Sequence, residues 1–167
     1  MIFMSQSGII DPAKQAQWSE WYVEHLRIMN TVEGIDSAVR FQTTTAGWPP
    51  SLAMYSIRSP EVFHDPYYLK IRGMGPWVDL IDKRFYQRNL FDAVHPIHDN
   101  LVAPDVPANA ALVVTDQTQP VLNLSGIDFL WLKSVGLDQS TPYRGIAVVP
   151  AAQIASISHH PEIAVYV

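Results

Sequence analysis

A chain of 167 residues is long enough for one domain with a sizeable core or for two small fused units, and 48% hydrophobic content with only 16% charged residues argues against disorder. Eleven Lys and Arg are scattered without a basic patch against sixteen Asp and Glu, for a net charge of −5, so nucleic acid and anionic membrane are not expected partners. With no cysteine there is neither a disulfide framework nor thiolate chemistry; no signal peptide or bilayer-spanning run is expected either, which predicts a soluble, cytoplasmic protein.

Ile2 to Ile10 reads as a first strand. Asp11-Pro12 then makes a helix start, because Asp accepts a backbone N–H at the N-cap and proline is tolerated at the first helical position. From Trp18 to Met29, the residues Trp18, Trp21, Tyr22, His25, Leu26 and Met29 recur at spacings of three and four and form one stripe that faces the core. Glu20, Glu24 and Arg27 fall on the opposite face. An imidazole, His25, therefore points inward among aromatic rings. The helix is expected to end near Asn30, with Gly34 available for the left-handed conformation that turns the chain.

Ile35 to Thr44 alternates, with Ile35, Ser37, Val39 and Phe41 on one face and Asp36, Ala38, Arg40 and Gln42 on the other, as in a strand. After the turn at Ala46 to Pro50, a strand from Leu52 to Ile57 completes an antiparallel hairpin. Ser59-Pro60 opens a second helix that Asp65-Pro66 interrupts, since an internal proline loses a hydrogen bond and clashes with the preceding turn. A broken helix from Pro60 to about Arg72, a turn at Gly73 to Pro76, a short helical piece around Trp77, Leu80 and Ile81, and a strand from Phe85 to Val94 follow. Residues 1–95 thus read as βαββαβ.

Residues 96–109, with Pro96, Pro104 and Pro107, read as a connector. Residues 110–167 then give strands at Ala111 to Thr115, Ile127 to Val135 and Arg144 to Val149, a helix from Pro150 to Ile157, and a last strand from Ile163 to Val167. Trp131 and Pro150 lie 90 positions beyond Phe41 and Pro60. The second half therefore reads as a degenerate repeat of the first, short by the length of the His25 helix.

The segment WYVEHLRIMNTVEGIDSAVRF, residues 21–41, resembles the dimeric α+β barrel superfamily, and within it the group related to EthD. The matching residues are Trp21, Tyr22, His25, Leu26, Gly34, Arg40 and Phe41, and YYLKIRGMGPW (67–77) and RNLF (88–91) are similar to the same group's continuation. The resemblance covers residues up to about 95 and specifies fold better than reaction. It implies an α+β chain of ferredoxin-like sheets with helices on one face, two sheets pairing into a barrel by homodimerisation or tandem fusion. Here that becomes a tandem βαββαβ with a second repeat lacking its first helix; a homodimer is expected to cover the face so exposed. In some cyclases of this superfamily the ligand sits between helix and sheet, which would place His25 at a cavity.

A neutral imidazole, with a reference pKa of about 6.5, suits a general base acting beside a carbonyl or on a phenol. Tyr22, on the same face, is placed to orient it or to bind a substrate oxygen. Arg40 and Arg88 lie on strands and are candidates to fix a carboxylate or phenolate, against the ordinary alternative of a solvated face or a surface ion pair. Trp18, Tyr67, Tyr68 and Trp77 are candidate pocket walls or simple packing residues. His95, His98 and Asp99 form H-x-x-H-D and His159-His160 are adjacent, but neither has a zinc spacing, so no metal is expected; nothing marks a haem ligand or nucleotide fingerprint, so no cofactor is expected. The expected function is a cofactor-independent lyase, dehydratase, isomerase or cyclase acting on a small aromatic or polyketide-like molecule through His25 and Tyr22. The alternatives are a non-catalytic ligand-binding accessory protein of a catabolic pathway and a cofactor-free monooxygenase.

Overall fold

Alternation along the first strand, β1 (Ile2–Ser7), sorts the molecule into an inside and an outside. In the computed structural model, which describes residues 1–95 and 101–167, all six side chains of β1 are buried. Ile2 and Met4 point into one apolar cluster, whereas Phe3 points into another that contains Trp18, Tyr22 and Met29.

The remaining elements are α1 (Gln15–Met29), β2 (Ile35–Gln42), β3 (Ser51–Ile57), α2 (Pro66–Ile71), β4 (Gln87–Ala93), β5 (Ala110–Gln117), β6 (Leu130–Leu137), β7 (Tyr143–Pro150), α3 (Ile154–Ile157) and β8 (Ile163–Tyr166). Short 3₁₀ segments at Pro12–Lys14, Pro60–His64 and Gly75–Leu80 complete the first half. The broken second helix has the cause its sequence predicts. Pro66 cannot extend the preceding turn, and the Asp65 carboxylate restarts the helix by accepting the Tyr68 N–H at 2.7 Å.

The eight strands form one antiparallel sheet in the order β2-β3-β1-β4-β6-β7-β5-β8. Gln42, at the end of β2, and Val167, just after β8, exchange both backbone hydrogen bonds at 2.7 and 2.9 Å, so the sheet curls into a nearly closed barrel within a single chain. Inward side chains from all eight strands fill it, among them Met4, Phe41, Met54, Phe91, Val114, Leu132, Ile146 and Tyr166. Leu101 of the connector packs against this cluster, and the charged N-terminus donates to the carbonyls of Ile57 and Leu101. His98 and Asp99 lie outside the described residues.

Each half arranges its own strands in the same order: second, third, first, fourth. Val39 stands opposite Met54, and Leu130 opposite Ile146, which makes Leu132 the counterpart of Phe41, both facing the interior. The expected match of Phe41 with Trp131 is therefore one residue out of register. Because strand side chains alternate, that slip moves the partner to the opposite face, where Trp131 packs. A second correction concerns β2, whose pairing shifts between Ile35 and Ser37. This bulge puts Ile35 against the helix-side cluster while Val39 and Phe41 face the barrel interior.

The connection between β5 and β6 contains no helix. Ile127 and Phe129 from that loop, with Ile157 of α3, cover Val113, Trp131, Val149 and Ile163 on the outer face of the second half. Among the described residues, no helix is long and apolar enough to cross a membrane.

Candidate functional site

The stripe of α1 packs on the outer face of the first four strands. Trp18, Tyr22 and Met29 are buried and Trp21, His25 and Leu26 partly buried, while Glu24 and Arg27 pair with each other in solvent at 2.6 Å. Between this helix, the sheet and the segment from α2 to Met74 lies a cavity of about 300 Å³. Helix α1 contributes Tyr22, His25 and Met29 to its wall, and the strands contribute Phe3, Ser5, Tyr55 and Arg88. Tyr68, Leu69, Arg72, Gly73 and Met74 close it from the α2 side, with Tyr86 beside Arg88. Gly73 and Gly75 have φ of +95° and +47°, conformations that glycine adopts without a steric penalty. A side chain at Gly75 would also meet Trp21 at 3.4 Å, so the loop can close over that ring.

His25 stacks on Trp21 with ring centroids 4.8 Å apart and planes 12° from parallel, and meets Tyr22 edge-on at 5.8 Å. Among the described residues, neither ring nitrogen makes a hydrogen bond. Burial pushes the imidazole pKa below 6.5, because the cation would lose hydration with no acceptor in exchange. The ring at the cavity wall is therefore neutral at pH 7 and free to take up a proton.

Tyr22 is 1% exposed, and its hydroxyl lies beside Ser5, Ser7 and Tyr55. Burial raises the pKa of Tyr22, Tyr55 and Tyr68, with the Arg40 charge partly offsetting the rise at Tyr22. All three phenols consequently stay protonated and can donate a hydrogen bond.

Of the residues singled out from sequence, the cavity gathers His25, Tyr22, Tyr68 and Arg88. Arg40 is not among its lining. Its guanidinium sits 4.6 Å from the Trp18 ring centroid and 4.4 Å from that of Tyr22, and its Nε donates to Ser51 Oγ at 2.7 Å. It is half-buried and, among the described residues, pairs with no acid; it fastens α1 to the sheet through two aromatic faces. Trp18, 0% exposed, serves that packing, and Trp77 is buried in the same cluster away from the cavity wall. Tyr67 turns outward, its hydroxyl 3.2 Å from Thr31 Oγ1, and ties α2 to the end of α1.

Arg72, Tyr55, Tyr86 and Ser5 belong to the site but were not read from the sequence. Ser5 carried a signal, since Phe3 and Ser5 share a face of β1 and a small polar residue under a helix leaves room. Tyr55 carried a similar one, being the outward residue between Ala53 and Ile57. Arg72 sits where the helix ends, a position that periodicity does not resolve.

A wider groove of about 950 Å³ runs over the seam between β2 and β8, lined by Ala16, Thr43, Ile154 and Val165 among others. It has no Asp, Glu, His, Lys, Arg or Tyr side chain in its lining, unlike the His25 cavity. Among the described residues, no three His, Asp or Glu side chains gather into a metal-binding group. Comparison with protein-family models, curated proteins and solved structures finds no match, so the geometry alone carries the functional reading.

Proposed function

We propose that the protein is an enzyme of the lyase or isomerase type, working without a cofactor, that uses His25 as a general base on a small aromatic or polyketide-like carbonyl compound. The observation that carries this reading is a neutral imidazole, unbonded by the described residues, at the wall of a cavity it shares with four tyrosines. Proton removal from a carbon beside the carbonyl sends the C–H electron pair toward the carbonyl oxygen. His25 becomes the imidazolium, and a neutral phenol such as Tyr22 donates to the developing oxyanion. The imidazolium then returns its proton to carbon or to a leaving group. The cavity's 300 Å³ is at the small end of the ~300–1,000 Å³ range of ligand pockets, which suits one or two rings.

The proposal extends to architecture. The shared strand order supports two ferredoxin-like units, 1–95 and 110–167, fused as a single-chain version of the α+β barrel. Closure needs no second copy, so a homodimer rests only on outward apolar residues such as Val135 and Leu137 of β6, 43% and 39% exposed. The compartment proposed is the cytoplasm.

Deuterium incorporation from D₂O into small aryl ketones and aryl 1,3-diketones tests the chemistry without knowledge of the natural substrate. Wild-type protein is expected to catalyse exchange beside the carbonyl, and His25→Ala to slow it about 100-fold or more while still folding and binding the ketone. Exchange at the wild-type rate in His25→Ala would remove the assignment. Binding without any exchange in the wild type would make the protein a ligand carrier.

A further inference from the structure

We infer that the ligand of the His25 cavity is an anion, a small aromatic carboxylate whose charged end is held by Arg88 and Arg72. This inference deepens the functional reading above and rests on that cavity being the ligand site. In a chain with sixteen acids and eleven bases, two guanidinium groups border one cavity whose lining includes no Asp or Glu. Arg88 projects from the same face of β4 as Leu90, toward α1 and α2. Arg88 forms a long, half-exposed ion pair with Asp138, Nη2 to Oδ1 at 3.6 Å and beyond hydrogen-bonding distance, while the other Asp138 oxygen accepts the Arg88 backbone N–H at 2.8 Å. Its Nε is buried without any partner among the described residues.

Arg72, at the end of α2, makes no ion pair with the described residues and stands at the opening. Both guanidinium groups border the cavity beside Tyr68 and favour its ionised form, although burial outweighs them and raises the Tyr68 pKa. An Arg fork with unused donors beside apolar Phe3, Met29 and Met74 matches a carboxylate on an aromatic ring, two charge-assisted hydrogen bonds at one end and apolar contact at the other. Such a ligand would be steered into the cavity by the paired charges, although the protein as a whole is negative.

The test compares 2-naphthoate with its uncharged amide, 2-naphthamide, by isothermal titration on the full chain. Wild-type protein is expected to bind the carboxylate about tenfold or more tightly than the amide. Arg88→Gln and Arg72→Gln should each shrink that ratio, and the double variant should bring it close to one while leaving amide affinity within about twofold. His25→Ala should keep the ratio. Equal binding of the two probes by the wild type, binding of neither, or a preference that survives the double substitution would overturn the inference. Arg72 is exposed, so Arg72→Gln remains informative should Arg88→Gln fail to fold. Loss of the charge preference with His25-dependent exchange of neutral ketones intact would fail this inference alone; loss of exchange with the preference intact would fail only the catalytic reading.

Discussion

Asp116→Ala is expected to destabilise the protein by about 3–5 kcal/mol, a large part of the stability of an ordinary domain. Arg144 is 0% exposed inside the barrel and pairs across neighbouring strands with Asp116, Nε to Oδ1 and Nη2 to Oδ2, both at 2.7 Å. Gln6 accepts a further hydrogen bond at 2.8 Å, Met4 Sδ lies 3.4 Å from Nη1, and the Phe91 ring centroid is 5.3 Å from the guanidinium carbon. The Asp side chain reaches the barrel rim, 29% exposed, whereas the Arg has no route to water. Removing the acid strands a full charge in the core, which costs more than the pair contributes when intact. Arg144→Met together with Asp116→Ala should therefore recover most of the loss in a denaturant titration. A single Asp116→Ala costing under about 1 kcal/mol, or a double variant no better than the single, would contradict this account of the barrel interior.

Trp18→Ala is expected to cost about 3–5 kcal/mol, and Trp18→Phe about 1 kcal/mol. The indole is fully buried, meets Tyr22 edge-on at 5.5 Å and covers one face of the Arg40 guanidinium. Its Nε1 has no hydrogen-bond partner among the described residues, so phenylalanine retains the aromatic face and sheds an unsatisfied donor. Alanine leaves both a cavity and a half-uncovered cation between α1 and β2. Thermal or chemical unfolding separates the cases; equal losses for Phe and Ala would contradict the assignment of the stabilisation to the aromatic face.

The helix that carries His25 was legible because its pattern is local: rings at spacings of three and four must share a face whatever they pack against. The cap-and-proline signals at Asp11 and Ser59 were legible for the same reason, since a side-chain oxygen and a fixed φ act within one turn. What escaped depends on neighbours distant in sequence. The bulge that turns Ile35 to the helix side arises from pairing with β3, and nothing in the alternation of β2 announces it. The repeat was visible, but spacing alone set Phe41 against Trp131, and only the register of each hairpin sets it against Leu132. Arg40 looked like a surface or substrate-binding residue because its two aromatic partners lie on another element. Arg144 and Asp116 did leave a trace: each shares strand parity with inward residues, Ile146 and Val114, so two opposite charges were written into the core face of two strands.

The pH dependence of deuterium exchange tests the assignment of His25 most directly. In the unfolded chain this imidazole binds its proton near pH 6.5, whereas burial in the fold delays protonation to lower pH. The base form therefore predominates above the lowered value, and any stability that depends on the neutral ring is lost as pH falls from 6.5 toward it. Wild-type exchange, followed from about pH 4.5 to 8, is predicted to rise through a single apparent pKa below 6.5 and then level off, and His25→Ala is predicted to lack that rise. A wild-type profile that is flat over this range, or one whose rise persists in His25→Ala, would contradict the account.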